Sequence, residues 1–421
     1  MSEKLDSSAS AASNSDALLP LAGTRIVSFC HFLQGPAAVQ YLADLGAEVV
    51  KVEPIAGAYE RHWSGADLYV DETSVFFLAA NRNCRSLAVD LKSPEGKQVV
   101  EKLISNSDVV IQNYRPGVLE RLGFGFEDCK RLKADIIYAA ATGFGSSGPL
   151  VEKPGQDLLI QARCGLAAAT GSTPTPVGGA VIDQHGAALL AMGVLAALVK
   201  RAATGQGGLV EGNLLNAGID LQMEGITSFL TGRFDEDRFD RHPRLATWLH
   251  QAPYGLYQLA DGAIVLPLTD PKALAEALDS DPLRALSDID LYSERDRYAD
   301  VLQEVFRTRT FAEVAPGLDS QGVWFAKVQS YADLRADEQV QHNGVFRNVD
   351  VNGSEVVLVN HPVRYDGQVL PLRRLALRPG QDTHEILGEL GYTDADIAAF
   401  EEHKAVRLGE RREWREKSIK Q

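Results

Sequence analysis

Cysteine is scarce in this chain of 421 residues, which contains only Cys30, Cys84, Cys129 and Cys164. The four are widely separated and include no C-x-x-C pair, which argues against a disulfide framework and against a zinc site. Such usage is typical of proteins in a reducing compartment. We therefore expect a cytoplasmic protein that binds no metal.

Long hydrophobic runs are also missing. The longest, Gly186 to Val199, is shorter than the roughly 20 residues that span a bilayer, so it predicts a buried helix. Residues 1–18 are rich in Ser, Ala and Asp and lack the apolar centre of a signal peptide. We expect them to form a disordered tail.

The first strand-to-helix turn, Phe29–Pro36, lacks G-x-G-x-x-G, and neither G-x-x-x-x-G-K-[ST] nor G-x-S-x-G occurs in the sequence. The first absence argues against a nucleotide-dependent oxidoreductase. A net charge of -15 argues against general binding to nucleic acids or membrane surfaces. It leaves room for a local basic pocket that binds a phosphorylated ligand.

What the sequence does contain is an alternation of apolar strands and amphipathic helices. This alternation predicts an α/β protein with a largely parallel sheet, whose ligands bind at the carboxyl ends of the strands. Asn113-Tyr114 and Thr142-Gly143 fall at such ends. The predicted strands are 25–29, 48–52, 86–91, 108–114 and 136–141.

A charged connector at Arg233–Arg241 separates this pattern from a different one. A hairpin is predicted around Asp261-Gly262, followed by helices rich in Asp, Leu and Ala. We therefore expect a large domain formed by residues 19–232 and 326–421, with a smaller α+β domain at residues 233–325 between them.

Asp183 stands just before the longest apolar run. One interpretation is a helix cap, since aspartate is common at that position. The other is a carboxylate nucleophile, ionised at neutral pH with a pKa of about 3.9 and favoured further by the helix N-terminus. The residues alone leave both interpretations open.

Several stretches together resemble the class III CoA-transferase family, which includes formyl-CoA and carnitine CoA-transferases and the related α-methylacyl-CoA racemases. The resemblance extends from about Leu19 to Val406. Its markers are Leu21–Val27, Leu42–Glu53, Asn83–Ser86, Asp90–Lys92, Asn113–Gly117, Gly143–Gly145, Gly155–Asp157, Pro253–Gly255, Asp261-Gly262 and Leu387–Tyr392.

The resemblance implies an interlocked homodimer with a Rossmann-like, CoA-binding large domain. It implies that Asp183 is the catalytic residue and forms first an aspartyl anhydride and then an aspartyl-CoA thioester. The substrates would be an acyl-CoA and a carboxylic acid. No permanently bound cofactor, nucleic acid or membrane partner is expected.

The family's site residues map onto positions of this sequence. Active-site support is expected from Gln156, Asp157, His31 and Gln34. CoA binding is expected from Leu33, Gln34, Lys92, Asn113, Tyr114, Arg115, Arg121 and Asp157.

Each of these residues also has a structural interpretation. The three cations can be solvated surface charges, and Asn113 and Tyr114 can be turn and core residues. Asp157 can cap a helix that begins at Leu158, and His31 can be structural.

The sequence departs from the family pattern at three places. Pro54 and Cys84 stand where basic residues are common in the family, so fewer cations than expected are available to bind the CoA phosphates. The glycine-rich active-site loop of formyl-CoA transferase has no counterpart, and the chain has Arg241–Trp248 there instead. Oxalate is therefore not supported as the acceptor acid.

Two alternatives share this fold. A racemase would need a second acid or base, but Gln156 stands where racemases of this kind carry a histidine, and glutamine exchanges no proton near neutral pH. A non-catalytic CoA-binding subunit of a heteromeric transferase would be expected to lack the nucleophile, and Asp183 is present.

The acceptor acid is suggested only by a cluster of arginines near the connector. These side chains can bind the second carboxylate of a dicarboxylic acid, which would suit succinyl-CoA as the donor, or they can form an exposed charged linker. The cluster consists of Arg233, Arg238, Arg241 and Arg244.

Overall fold

The structure is a computed structural model that describes residues 19–416. The disordered tail predicted for residues 1–18 lies outside the described residues, as do residues 417–421. The described chain forms two compact units. The first comprises residues 19–157, 181–217 and 338–416, and the second comprises residues 158–180 and 218–337.

The strands of the described chain are numbered in sequence order. They are β1 (Arg25–Phe29), β2 (Glu48–Glu53), β3 (Tyr69–Val70), β4 (Thr73–Ser74), β5 (Cys84–Val89), β6 (Val109–Gln112), β7 (Ile137–Thr142), β8 (Gly208–Asn213), β9 (Gly255–Leu259), β10 (Gly262–Leu266), β11 (Ala326–Lys327), β12 (Phe346–Val351), β13 (Ser354–Val359), β14 (Val406–Arg407) and β15 (Trp414–Glu416).

The α-helices are numbered in the same way. They are α1 (Gln34–Asp44), α2 (Val75–Ala80), α3 (Pro94–Ser105), α4 (Val118–Leu122), α5 (Phe126–Leu132), α6 (Asp157–Arg163), α7 (Leu166–Thr170), α8 (Val181–Thr204), α9 (Leu214–Asp220), α10 (Met223–Gly232), α11 (Pro271–Ala277), α12 (Asp281–Arg284), α13 (Arg295–Arg307), α14 (Phe311–Ser320), α15 (Tyr331–Ala336), α16 (Glu338–His342), α17 (Thr383–Glu389) and α18 (Asp394–Glu402).

The first unit is built on a seven-stranded sheet with the order β14-β5-β2-β1-β6-β7-β8. All neighbours pair in parallel except β14, which runs antiparallel to β5 at the edge. The predicted α/β class with a largely parallel sheet is confirmed. Because later strands are added on both sides of β1, the strand order reverses between β1 and β6, where open α/β sheets bind their ligands.

Both faces of this sheet are covered, which explains why its strands are apolar throughout. Successive residues point to opposite faces, so Val27 packs in one core and Ile26 in the other. Helix α1 and helix α8 pack against each other on the Ile26 side. Burying each such side chain stabilises the fold by about 1.5–3 kcal/mol.

The second unit contains the predicted hairpin around Asp261-Gly262, with Leu259 opposite Gly262 in the β9–β10 register. Its core includes Tyr257, Tyr298 and Phe306 from the hairpin and helix α13. The compact units differ in extent from the predicted domains, because residues 158–180, 218–232 and 326–337 belong to the second unit. The predicted domain division itself remains a prediction.

Helix α8 is longer than the apolar run in the sequence suggests. It has 24 residues and a mean hydropathy of 1.6, which by length and composition alone would allow it to cross a membrane. That property is a weak indication, because core helices of soluble proteins share it. One face of the helix is buried through residues such as Leu190 and Val194, while Met192 and Val199 are exposed.

Candidate active site

Two loops meet at the carboxyl ends of β1 and β6. The side-chain amide of Asn113 pairs with the backbone of His31 in both directions: its Oδ1 accepts the His31 N–H at 2.9 Å and its Nδ2 donates to the His31 carbonyl at 2.8 Å. The parallel pairing of β1 with β6 brings these positions together although they are 82 residues apart. Asn113 therefore fixes the backbone of the loop that carries His31.

The imidazole of His31 lies among aromatic rings. Its centroid is 5.0 Å from that of Tyr114 and 5.3 Å from that of Phe32, both in edge-to-face arrangements. Burial lowers the pKa of His31, and the nearby charge of Glu60 opposes this shift in part. The ring is therefore mainly neutral at pH 7.

The start of helix α1 is pressed against the end of β1. A Cβ at Gly35 would lie 2.8 Å from the Cys30 sulfur and 2.9 Å from Cγ of Asn113, so only glycine fits here. The turn into the helix contains Phe32 with a φ of 58°, a left-handed conformation that disfavours a residue with a Cβ. This tight turn sets the position of Gln34 at the first residue of the helix.

The side-chain amide of Gln34 is buried beside helix α8. The residue is 5% exposed, and its Nε2 has no hydrogen-bond partner among the described residues. A Cβ on Gly186 would lie 2.7 Å from that nitrogen, so the amide occupies the space that the glycine leaves. A buried donor without a partner is uncommon in proteins and is suited to receive a ligand oxygen.

Asp183 lies in the first turn of the same helix, three residues before Gly186. It is not the helix cap. Oδ2 of Asp157 accepts the backbone N–H groups of Ile182 at 2.8 Å and of Asp183 at 3.0 Å. Asp157 thus binds free N–H groups of α8, whereas its structural interpretation from the sequence was a cap for the helix beginning at Leu158. Its roles in active-site support and CoA binding remain predictions. The Asp183 carboxyl takes no part in this capping contact.

The acidity of Asp183 differs from the expectation of an ordinary ionised carboxylate. Burial, with a further contribution from the charge of Asp157, raises the pKa of Asp183 to about 7. The expectation was wrong because it considered only the favourable helix N-terminus and not desolvation. At neutral pH the carboxyl is close to half ionised.

The family of this chain is shown by comparison with known proteins. The model of the family described as CoA-transferase family III matches residues 21–384. The chain belongs to CoA-transferase family III. The resemblance seen in the sequence is therefore confirmed, and the protein is an enzyme that transfers CoA.

Family III members with different acceptors are about equally similar to it. It is 31% identical over 393 residues to the succinyl-CoA:glutarate CoA-transferase of Mus musculus, covering 90% of this chain and 88% of that protein. It is 30% identical over 404 residues to the (R)-2-hydroxy-4-methylpentanoate CoA-transferase of Clostridioides difficile, covering 92% and 99%. Sequence similarity alone therefore does not identify the acceptor acid.

A solved structure shares the family III fold. A CAIB/BAIF family protein from Brucella suis superimposes with a TM-score of 0.75 at 26% sequence identity. The match covers 88% of this chain and 99% of that chain. The mixed α/β architecture is therefore that of the CaiB/BaiF proteins.

The cations expected to bind CoA lie on the surface of this family III enzyme. Lys92, Arg115 and Arg121 are exposed, and none forms an ion pair with another described residue. Lys92 follows β5 and Arg115 follows β6, both at carboxyl ends, while Nη1 of Arg121 lies close above Gly117. Their side chains are free to bind phosphate oxygens.

Two of the remaining predicted residues do not join the cluster around Asp183. Gln156 is exposed and, over residues 19–416, its side chain makes no hydrogen bond. Leu33 is partly buried at the N-cap of α1. Asp183 contacts Asp157, and the helix that carries Asp183 contacts Gln34 at Gly186.

One member of the arginine cluster in the second unit, Arg241, has a structural role. The Arg241 guanidinium is buried and donates to backbone carbonyls, among them those of Ala169 and Thr170. Arg233 is exposed in a left-handed conformation after α10. The Nε of Arg238 is buried and has no partner among the described residues, and its guanidinium lies 4.5 Å from the ring centroid of Phe234.

Two buried charges beneath the His31 loop were not recognised in the sequence. Lys51 on β2 is 1% exposed and Glu60 is fully buried. The available signal was a lysine in the centre of an apolar strand, which requires a buried partner. Nothing in the local pattern identifies Glu60 as that partner.

Proposed function

We propose that this enzyme moves CoA from an acyl-CoA donor to a carboxylic acid, with Asp183 as the nucleophile. One observation carries the proposal: Asp183 stands on the first turn of α8 with its backbone held by Asp157, one turn from a buried and unpartnered amide at Gln34. A carboxylate nucleophile and a preorganised donor are the two elements that acyl transfer requires.

In the first step, an oxygen of the Asp183 carboxylate attacks the thioester carbonyl of the donor. The C–S bond breaks, CoA leaves as the thiolate, and a mixed anhydride joins Asp183 to the acyl group. Negative charge develops on an oxygen in the transition state. We propose that Nε2 of Gln34 donates a hydrogen bond to that oxygen. Removal of one such donor typically lowers kcat by about 10²–10³-fold.

The CoA thiolate then attacks the aspartyl carbonyl carbon of the anhydride. The donor acid leaves as its carboxylate, and an aspartyl-CoA thioester remains on Asp183. The acceptor carboxylate attacks that thioester to form a second anhydride and releases the thiolate again. Attack of the thiolate on the acceptor's carbonyl gives the new acyl-CoA and restores the Asp183 carboxylate, so no net proton is consumed.

CoA itself would lie across the carboxyl ends of β1 and β6, as in a Rossmann-like large domain. The reversal of the strand order at this point supports that location. Lys92, Arg115 and Arg121 would bind the phosphates, and Asn113 with Tyr114 would form the wall of the cleft. The support for these assignments is that the three cations are exposed and form no ion pair with another described residue.

Succinyl-CoA is the donor we propose to test first. The mouse relative with that donor in its name is as similar to this chain as any reported above. The second carboxylate of such an acid needs a cation, which is why the arginine cluster in the sequence suggested this donor. The 2-hydroxy acid of the Clostridioides difficile relative is the competing acceptor class.

We further propose that the enzyme works as an interlocked homodimer in the cytoplasm. The support is an apolar surface that a single chain leaves uncovered: Met192 is 60% and Val199 is 71% exposed on helix α8. Exposed apolar faces of this kind are typical of protein interfaces. A solution mass twice that of the chain is expected from light scattering.

The test is an exchange assay in which succinyl-CoA, acetyl-CoA and a branched acyl-CoA are each mixed with glutarate, succinate or 2-hydroxy-4-methylpentanoate. Liquid chromatography then measures the new acyl-CoA. Transfer from at least one donor, abolished in Asp183→Ala, supports the proposal. Exchange of the α-proton of a 2-methylacyl-CoA without any CoA transfer would instead identify a racemase.

A further inference from the structure

The loop that brings His31 and Gln34 to the candidate site is held from below by a buried ion pair. Nζ of Lys51 donates to the carbonyl oxygen of Cys30 at 2.6 Å, at the residue that follows β1. The same nitrogen lies 3.1 Å from Oε1 of Glu60. Both side chains are excluded from solvent, since Lys51 is 1% exposed and Glu60 is fully buried.

A buried ion pair is a weak source of stability, because removing two charges from water is about as unfavourable as their attraction is favourable. The Phe77 ring lies 5.5 Å from Nζ of Lys51, and a second buried ion pair, Arg61–Glu53, lies against the same ring. Oε2 of Glu60 has no hydrogen-bond partner among the described residues. Because the Lys51–Glu60 pair adds little net stability, its geometry requires another explanation.

The explanation lies in the strain of the loop above it. Phe32 adopts a φ of 58°, which residues with a Cβ rarely maintain unless the surroundings impose it. The backbone is held at the two preceding residues, by Lys51 at Cys30 and by Asn113 at His31. The chain then enters α1 at Gln34, whose amide is pressed against Gly186.

We propose that Lys51, oriented by Glu60, is a positioning residue that fixes the 30–34 loop and thereby places the Gln34 amide beside helix α8. This role rests on the proposed function, because the loop matters for catalysis only if Asp183 and Gln34 act on an acyl-CoA. Lys51 itself touches no substrate. Its effect reaches the site through the Cys30 carbonyl and the backbone that follows.

The test variant is Lys51→Met/Glu60→Gln, which removes the Lys51 donor without leaving an unpaired buried charge. The control for loss of an ion pair elsewhere is Arg201→Met/Asp108→Asn, which removes a partly exposed pair that closes at 2.9 Å at the opposite, amino ends of the strands. Hydrogen exchange of the peptide containing residues 30–35 is measured by mass spectrometry in both variants without substrate. Melting temperatures are measured in parallel.

We expect exchange in that peptide to accelerate by at least about tenfold in the Lys51 and Glu60 variant and to stay unchanged in the control. We also expect kcat to fall by about 10²-fold with a KM for acyl-CoA within about threefold of the wild type, as for a misplaced catalytic group. Unchanged exchange in the 30–35 peptide, or a kcat equal to that of the wild type, overturns the proposal.

The two proposals fail in distinguishable ways. If the wild-type enzyme transfers no CoA, the proposed function fails, and the exchange measurement still decides whether Lys51 holds the loop. If the wild type is active and the variant loses melting temperature without losing kcat, Lys51 is structural only and the positioning role is wrong.

Discussion

The carboxylate of Asp157 accepts the backbone N–H of Asp183 at 3.0 Å. One aspartate therefore orders the helix turn on which the other stands, and its charge contributes to a pKa of about 7 at Asp183. Asp183, which we propose as the nucleophile, is consequently a weaker acid than a free aspartic acid side chain, and its carboxylate is a stronger base. Two predictions follow from this pair.

The first concerns pH. Because Asp183 must be ionised to attack, kcat/KM should rise about tenfold per pH unit below pH 7 and level off above it.

A raised folded-state pKa means that the neutral form stabilises the fold, and this contribution is lost as pH rises through about 7. Asp183→Asn should therefore gain melting temperature over the wild type at pH 8 and not at pH 3.5. A flat profile between pH 5 and 8 would contradict this.

The second prediction separates the two roles of Asp157. Asp157→Asn keeps an oxygen that accepts from the helix N-terminus but removes the charge, so the rising limb of the pH profile should move to lower pH. Asp157→Ala also loses the acceptor and should destabilise the protein by about 1 kcal/mol. Chemical denaturation and pH–rate profiles measure the two effects. Identical behaviour of the two variants would show that charge and capping are not separable here.

The amide of Gln34 can be displaced without altering Gln34. In Gly186→Ala the new methyl group would lie 2.7 Å from Nε2, so the amide must move, while alanine itself favours the helix by about 1 kcal/mol over glycine. We expect kcat of Gly186→Ala to fall by about 10²-fold with no loss of melting temperature. The kcat of Gln34→Leu should fall by a similar factor. Gly388→Ala in helix α17 is the control for a general effect of alanine, because a Cβ there would meet nothing within 4 Å. Full activity in Gly186→Ala would exclude the assigned donor role.

Arg121 is expected to contribute to binding and not to chemistry. Its exposed guanidinium has no ion pair among the residues that the structure describes, and a charge-assisted bond to phosphate is worth about 1.5–3 kcal/mol. Arg121→Met should raise the KM for acyl-CoA by about tenfold or more with kcat unchanged. Arg307→Met, at an exposed site in the second unit, should change neither constant. A lower kcat at saturating acyl-CoA would argue against a pure binding role.

Much of the fold could be predicted from the sequence. The five predicted strands all form, because runs such as Val109–Gln112 are apolar on both faces and lie between turn residues. The start of helix α3 is also readable from the sequence, since Ser93 caps it and Pro94 is its first residue. Asp183 was identified only through the family pattern, because its local sequence is equally typical of a cap.

The geometry of the site could not be predicted, because it depends on contacts between distant segments. Asp157 meets Asp183 across 26 residues, and Gln34 meets Gly186 through the packing of two helices. No periodic pattern encodes either contact. The pKa of Asp183 follows from burial, which is a property of the folded chain and reverses the expectation drawn from the helix N-terminus.

The most direct measurement is the detection of a covalent intermediate on Asp183. The purified enzyme is incubated with an acyl-CoA panel without acceptor acid, and intact and peptide masses are recorded. We predict an acyl or CoA adduct on the peptide that contains Asp183, sensitive to hydroxylamine and absent from Asp183→Ala. Turnover in the exchange assay without any adduct at Asp183, or with an adduct on another residue, would contradict the central claim that this carboxylate is the nucleophile.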